Sequence, residues 1–324
     1  MSSPTTARGW AWVEHILAGG TMPWAEFDGT PSGVPAGFFP GAAQLELARR
    51  VNLAGGRGEV VRRILATGAP ARGRQEFLVS GVAETRGYGP MPIDPAEVPD
   101  AELIRVGVGV LTEHLAAAVP PEQPATSRGR LSRFRGNGVL TLPLAPVDRL
   151  LHDAWVTRAR RGPVLPWQRW TVRLARADRV PPSMLFVSRG EHWLATGFRR
   201  RVELSPAALP PPIDAGAADL VRRIQPLLGG LLDREQRDRL VAQVLAPWLE
   251  RRTGVRRLTL PVEARAWAVG LAERMAADVR RAGYPVRGDL TVLTEIDTGG
   301  PERPPLDDVL AVTVQVLCEG WEKR

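Results

Sequence analysis

Chemistry needs particular side chains gathered in one place, and this sequence supplies few such sets. The four histidines, His15, His114, His152 and His192, lie far apart, and each reads as a surface or helix-face residue. There is no His-x-x-x-His or Cys-pair spacing, so no metal site is expected. Cys318 is the single cysteine. It lies in an amphipathic C-terminal stretch that favours an inert thiol, and no intrachain disulfide can form. Lys323 is the one lysine, which excludes a phosphate-cradling loop ending in Lys-Ser or Lys-Thr. Gly107 and Gly109 lack the third glycine of a dinucleotide fingerprint and read as close-packing positions in a helix. No Gly-x-Ser-x-Gly elbow is present. Asp307-Asp308 reads as a helix start, and Asp94 with Glu97 falls in a proline-punctuated loop. No catalytic constellation assembles, and no cofactor is expected.

Positive charge and tryptophan remain. The 324 residues carry a net charge of +8, and 43 − 1 = 42 of the basic residues are arginine. Such a balance fits an anionic partner, nucleic acid included. Arginine is abundant alongside alanine, glycine and proline, as a GC-rich coding sequence produces, so most of it reads as solvated helix faces. The anion-binding candidates are Arg133 and Arg135, the turn residue Asn137 between two glycines, and Arg158 and Arg161. Backbone N–H groups of the Gly136-Asn137-Gly138 turn, at the mouth of a strand, would form an anion nest. Trp12, Trp24, Trp155 and Trp167 read first as packing residues and second as aromatic walls of a ligand cleft.

The elements that would position these residues follow from hydrophobic periodicity. It predicts helices over Ala42–Asn52, Glu59–Ala66 and Asp100–Ala118, the last with Asp100 as its cap. Val119–Arg130, with Pro120, Pro121 and Pro124, reads as a linker. Beyond it, Gly138–Leu144, Ser183–Ser188 and Val202–Leu204 suit short strands. Helices are expected over Asp148–Arg161, Ala217–Leu228, Arg234–Leu249, Pro261–Ala282 and Leu306–Trp321. The expected organisation is a mostly helical domain over 1–118, a Pro-rich linker over 119–130, and an α/β domain over 131–324 with a small parallel sheet. The fold class is α/β, predominantly helical. No run approaches 18 consecutive apolar residues and the first residues form no signal peptide, so no membrane insertion and a cytoplasmic location are expected.

The two halves echo each other. Ala11-Trp12-Val13, Gly19 and Pro23-Trp24 match Ala154-Trp155-Val156, Gly162 and Pro166-Trp167 at one offset, 155 − 12 = 143. Leu47–Asn52 resembles Leu220–Gln225, and Val61, Leu65, Ala66, Arg72 and Leu78 match Val241, Leu245, Ala246, Arg252 and Leu258, each at its own offset. The pattern describes a helix that ends in a Pro-Trp hinge, present twice, with insertions between the matching pieces.

Three stretches between Val139 and Leu290 resemble a bacterial sulfotransferase-like family. They are Val139–Pro146 running into Leu150–Trp155, then Leu165-Pro166-Trp167-Gln168-Arg169-Trp170, and finally Trp267–Met275 with Arg281-Ala282-Gly283-Tyr284-Pro285-Val286-Arg287-Gly288-Asp289-Leu290. The resemblance implies an α/β fold around a small parallel sheet, and a sulfonate donor bound as an adenosine bisphosphate. Where the family implies an arginine after the strand, this chain has Leu144 or Ala145. Where it implies a serine on the next helix, the chain has His152 or Asp153, and an aspartate repels phosphate. The donor loop expected near the start has no counterpart. The expectation is a degenerate relative acting as a non-catalytic binding or accessory protein. The alternatives are a group transferase with an atypical anionic donor site, or a basic nucleic-acid-binding or regulatory protein.

Overall fold

Runs of apolar residues at helical spacing give the chain its elements. The computed structural model describes residues 4–31, 39–67, 77–82, 91–121, 140–185, 202–206, 211–252 and 258–320. The fold is predominantly helical, with two small parallel sheets of two strands each. Two compact units divide the chain: residues 1–119, 226–233 and 305–324 form one, and 120–225 with 234–304 form the other.

The first unit begins with α1 (Pro4–Leu17), a 3-10 turn at Trp24–Glu26, α2 (Ala42–Leu53) and α3 (Gly58–Ala66). Two strands follow, β1 (Phe77–Val79) and β2 (Met91–Ile93), then α4 (Asp100–Ala117). β1 and β2 pair in parallel from Phe77↔Met91 to Val79↔Ile93, so the N-terminal half carries a sheet where only helices were expected. Three-residue strands are too short to show a hydrophobic period. α4 buries Leu103, Ile104, Val106, Val108, Val110 and Leu111, an apolar spread wide enough for a helix covered on several sides. Asp100 is its first helical residue, not its cap; Pro99 occupies the cap position, and Asp100 pairs with Arg50 at 3.1 Å.

The second unit opens with β3 (Leu140–Pro143), α5 (Val147–Arg161) and α6 (Trp167–Arg176). A 3-10 turn at Pro182–Met184 stands where a strand over 183–188 was expected; residues 186–188 lie outside the described residues. β4 (Val202–Ser205) runs parallel to β3 in the register Leu140↔Val202 to Pro143↔Ser205. Val286 bridges to Leu204 in parallel, which brings the Gly283–Leu290 segment to the sheet. The remaining helices are α7 (Ala215–Leu231), whose residues from Pro226 on are counted with the first unit, α8 (Arg234–Leu240), α9 (Ala246–Glu250) and α10 (Val262–Ala282). α8 and α9 are joined by a π turn at Val241–Leu245, in which Ala246 N–H bonds to the Val241 carbonyl. Pro247 has no N–H to give Gln243, so the ladder shifts register just before it. α10 ends at Gly283, whose φ of +68° is the left-handed cap that glycine adopts freely. The core gathers Leu142, Leu151, Trp155, Trp167, Leu260 and Leu293.

The last helix, α11 (Leu306–Glu319), packs on α4 and α2 and so belongs to the first unit, although the sequence places it after the second. The α4–α11 contact is close because Gly107 has no side chain: a Cβ there would lie 2.5 Å from Cγ2 of the buried Thr313.

Candidate functional site

The four candidate tryptophans are core residues, as their first reading, packing, has it; the second, as walls of a ligand cleft, does not fit their burial. Trp12 is fully buried, Trp24 is 4% exposed, and their ring centres are 5.4 Å apart. Trp155 and Trp167 are both fully buried, with centres 5.9 Å apart. Trp12 Nε1 donates to the Met22 carbonyl at 3.0 Å, and Trp155 Nε1 donates to the Leu165 carbonyl at 3.0 Å. Both bonds span ten residues, and donors and acceptors are related by the same offset of 143. Two further pairs match. Buried Glu46 takes Arg49 and Arg50, three and four residues on; buried Asp219 takes Arg222 and Arg223 at the same spacings. The bond to Glu46 pushes the Arg49 guanidinium above its ordinary pKa, against the opposing effect of burial. Asn52 Nδ2 then donates to the Ile16 carbonyl at the end of α1, and Gln225 Nε2 donates to the Arg160 carbonyl at the end of α5.

The carboxyl ends of parallel strands are where α/β proteins place ligands. Here that end of β3 is closed by internal bonds. Leu144 N–H donates to the Ser205 carbonyl at 3.1 Å. Asp148 accepts from Arg149 N–H at 2.8 Å and from Asp297 N–H at 3.1 Å, tying the start of α5 to a distant loop. Arg149 Nε donates to both oxygens of Asp153 at 3.1 Å. His152 lies against the rings of Trp155 and Trp167, with centres 6.1 and 5.9 Å away. Two carboxylates thus stand beside the position where a polyanionic donor would need cations. Arg133, Arg135 and Asn137 lie outside the described residues.

A different surface carries free positive charge. α6 starts after Pro166, buries Trp167, Trp170 and Thr171, and turns its other side outward. Arg169, Arg173 and Arg176 recur at i, i+4 and i+7, which places them on one face. Together with Gln168, Val172 and Ala177 they line an open groove of about 560 Å³. Helices elsewhere in this chain offset such charge locally: Arg63 with Glu59, Arg149 with Asp153, Arg239 with Glu235 and Arg281 with Asp278. The three α6 arginines make no ion pair among the described residues. Like charges at this spacing cost about 0.2–0.5 kcal/mol per pair, so the bare helix holds them together at a small loss.

Arg158 and Arg161, at the end of α5, and Arg179, just past α6, are also exposed and unpaired among the described residues. Among the described residues, Arg160 alone in this stretch is paired, with Glu250 at 3.1 Å. The one acid between Arg158 and Arg179 is Asp178, and it is already engaged. It accepts from Trp267 Nε1 and from Arg274 Nη2, both at 2.9 Å, which fastens the end of α6 to α10. The structure thus leaves the sequence candidates Arg158 and Arg161 exposed and adds Arg169, Arg173 and Arg176, which sequence reading passed over. Their signal was the four-then-three arginine spacing after a proline in a stretch almost without acid. The equivalent stretch of the first unit, Trp24–Glu26, is a single 3-10 turn that carries Glu26 and no arginine.

Among the described residues, no group of three or more His, Cys, Asp and Glu side chains is placed to hold a metal ion. None of the described helices is long and apolar enough to cross a membrane. No family model matches the chain, and neither a curated protein nor a solved structure matches it.

Proposed function

We propose that this chain is a non-catalytic binding protein, that its working surface is the arginine face of α6, and that it takes a phosphate-rich partner. The observation that carries the reading is the stripe Arg169, Arg173 and Arg176, exposed and, among the described residues, without acidic partners, where α3, α5, α8 and α10 each hold an arginine–carboxylate pair one turn apart. Guanidinium groups offer a planar fork of N–H donors that fits phosphate in two-pronged fashion. Because the apolar side of α6 is buried, the outward face has no apolar stripe to insert into a bilayer, which favours a hydrated polyanion over a membrane surface. The matched Trp bonds and acid–arginine clusters support a further part of the reading. The two units are copies of one Trp-anchored helical module, and only the second has extended its Pro-Trp segment into a basic helix. Kinship with the sulfotransferase-like family belongs to this proposal as well, with the donor site replaced by the Asp148–Arg149–Asp153 network.

The test uses a labelled single-stranded oligonucleotide as the polyphosphate probe, titrated by anisotropy at several salt concentrations. Three phosphate contacts give a slope of log K against log salt of about −2, from about −0.7 per contact. The variant R169Q/R173Q/R176Q is expected to bind at least about tenfold more weakly and to flatten that slope. Unchanged affinity and slope in a folded variant would overturn the assignment of this face.

A further inference from the structure

The open groove along α6 lies between the side chains of one helix. The described residues that line it all belong to α6 or to Ala177 at its cap. The basic surface is therefore a ridge, and a partner has to supply the concave side of the contact. At about 100° per residue, Gln168, Arg169, Val172, Arg173 and Arg176 spread over about 140° of the helix. Trp167, Trp170 and Thr171 are buried on the opposite side. Both ends of the ridge are pinned. Trp167 Nε1 donates to the Thr259 carbonyl at 2.9 Å, and Asp178 accepts from Trp267 and Arg274 of α10. α10 packs on α5 and α6 alike, so little backbone has to be ordered on binding.

Phosphate chains of different shape fit a ridge unequally. A single strand is held by a protein groove that tracks its backbone and by aromatic faces on which its bases stack. α6 offers neither, since both its tryptophans point into the core. An RNA duplex is A-form, with a deep, narrow major groove that side chains cannot read. B-form DNA has a major groove about 12 Å wide, and an α-helix with its side chains is about 10–12 Å across. From Arg169 to Arg176 the stripe runs about 10.5 Å, roughly three base-pair steps of about 3.4 Å.

We infer that α6 enters the major groove of duplex DNA and reads base edges there. The inference rests on the phosphate-binding reading of the same face and narrows it to one partner. Gln168 and Arg169 lie in the first turn of α6, the part of a groove-entering helix that meets the bases. The Arg169 fork matches the O6 and N7 acceptors of guanine, and the Gln168 amide matches N6 and N7 of adenine. Arg173 and Arg176, one and two turns on, meet phosphates along the groove wall and fix the register.

The probes are a DNA duplex of mixed sequence, the RNA duplex of the same sequence and the single DNA strand, each titrated against the full chain by anisotropy at equal salt. The DNA duplex is expected to bind at least about tenfold more tightly than either of the others. The variant R173Q/R176Q removes two phosphate contacts and is expected to flatten the slope of log K against log salt on that duplex by about 1.8. Selection from randomised DNA duplexes is expected to enrich a short site containing guanine. R169K keeps the charge and loses the fork, so it is expected to lose at least about fivefold in preference for that site over mixed sequence, at an unchanged salt slope. The substituted arginines are exposed, so each variant is expected to keep its unfolding midpoint. RNA duplex or single strand binding as tightly as the DNA duplex, or a site preference that R169K retains, would overturn this inference and leave the phosphate-binding reading standing. Binding of all three probes that R169Q/R173Q/R176Q leaves unchanged would overturn both.

Discussion

Replacing Glu46 by Gln and Asp219 by Asn asks whether the two buried carboxylates do the same work in their two units. Glu46 is 1% exposed and accepts two bonds from Arg49, both 2.8 Å, and one from Arg50 at 2.9 Å. Asp219 is 3% exposed and accepts from Arg222 at 2.5 Å and from Arg223 at 2.7 Å. The amide keeps the shape of each side chain, removes its charge, and turns an N–H₂ donor toward a guanidinium that can only donate. Breaking a fully buried pair by removing one partner costs about 3–5 kcal/mol. Here the arginine side chains are 14% and 32% exposed in one cluster and 15% and 29% in the other, so they can turn partly to water. That lowers the expected loss to about 2–3 kcal/mol for each variant. With a urea slope of about 2 kcal/mol/M, each midpoint falls by about 1–1.5 M, read by circular dichroism. A shift under about 0.3 M for either variant would mean that its carboxylate is not holding its helix as described. Costs that differ by more than about 1 kcal/mol would sink the claim that the clusters are equivalent.

Three more outcomes follow from the same geometry. Trp12→Phe and Trp155→Phe each remove a 3.0 Å bond and part of a fully buried ring, and each is expected to lose about 2–3 kcal/mol; a loss below about 0.5 kcal/mol in chemical denaturation contradicts the anchoring role. Gly107→Ala puts a methyl 2.5 Å from the Thr313 side chain, and its expected cost of about 1–3 kcal/mol exceeds the gain in helix propensity; a variant that melts higher than the parent shows that α4 and α11 can part at no cost. Burial raises the Cys318 thiol pKa, so its alkylation rate should reach half-maximum at a higher pH than that of a free cysteine, which titrates near about 8.5. Because the folded state holds that proton more tightly than the unfolded chain, the contribution is present below the unfolded pKa and is lost as pH rises from there through the folded one. A half-maximum at or below the free-cysteine value contradicts this ordering.

Much of the fold was legible because its helices are amphipathic and proline-punctuated. α2, α3, α4, α5, α10 and α11 fall where apolar spacing and flanking prolines put them. β3 and β4 were legible as apolar segments, but their pairing was not, since Leu140 and Val202 are separated by 202 − 140 = 62 positions and nothing local specifies the partner. Gly107 does serve a close approach, whereas a Cβ at Gly109 would meet only an ordinary 3.7 Å contact with Thr67. The echo of Leu47–Asn52 in Leu220–Gln225 was visible as letters, yet sequence does not tell that the acid just before each stretch, Glu46 or Asp219, is buried and takes the two arginines. The α6 surface was obscured by its own tryptophans. Trp167 and Trp170 draw attention to packing, and the functional candidate is the opposite side of the same helix, defined by which acids are missing or engaged elsewhere.

The return of α11 to the first unit sets an order for synthesis. A ribosome that has finished residues 1–119 has made Leu47, Ile104 and Leu111 but not the helix that packs on α2 and α4. The second unit lacks nothing after residue 304 and can close first. The nascent N-terminal half must therefore wait with apolar surface uncovered while some 190 further residues emerge, roughly ten to forty seconds at about 5–20 residues per second. Chaperone dependence during translation should accordingly concentrate on the half that is made earliest, and clipping the last helix should unravel the beginning of the chain and spare its middle.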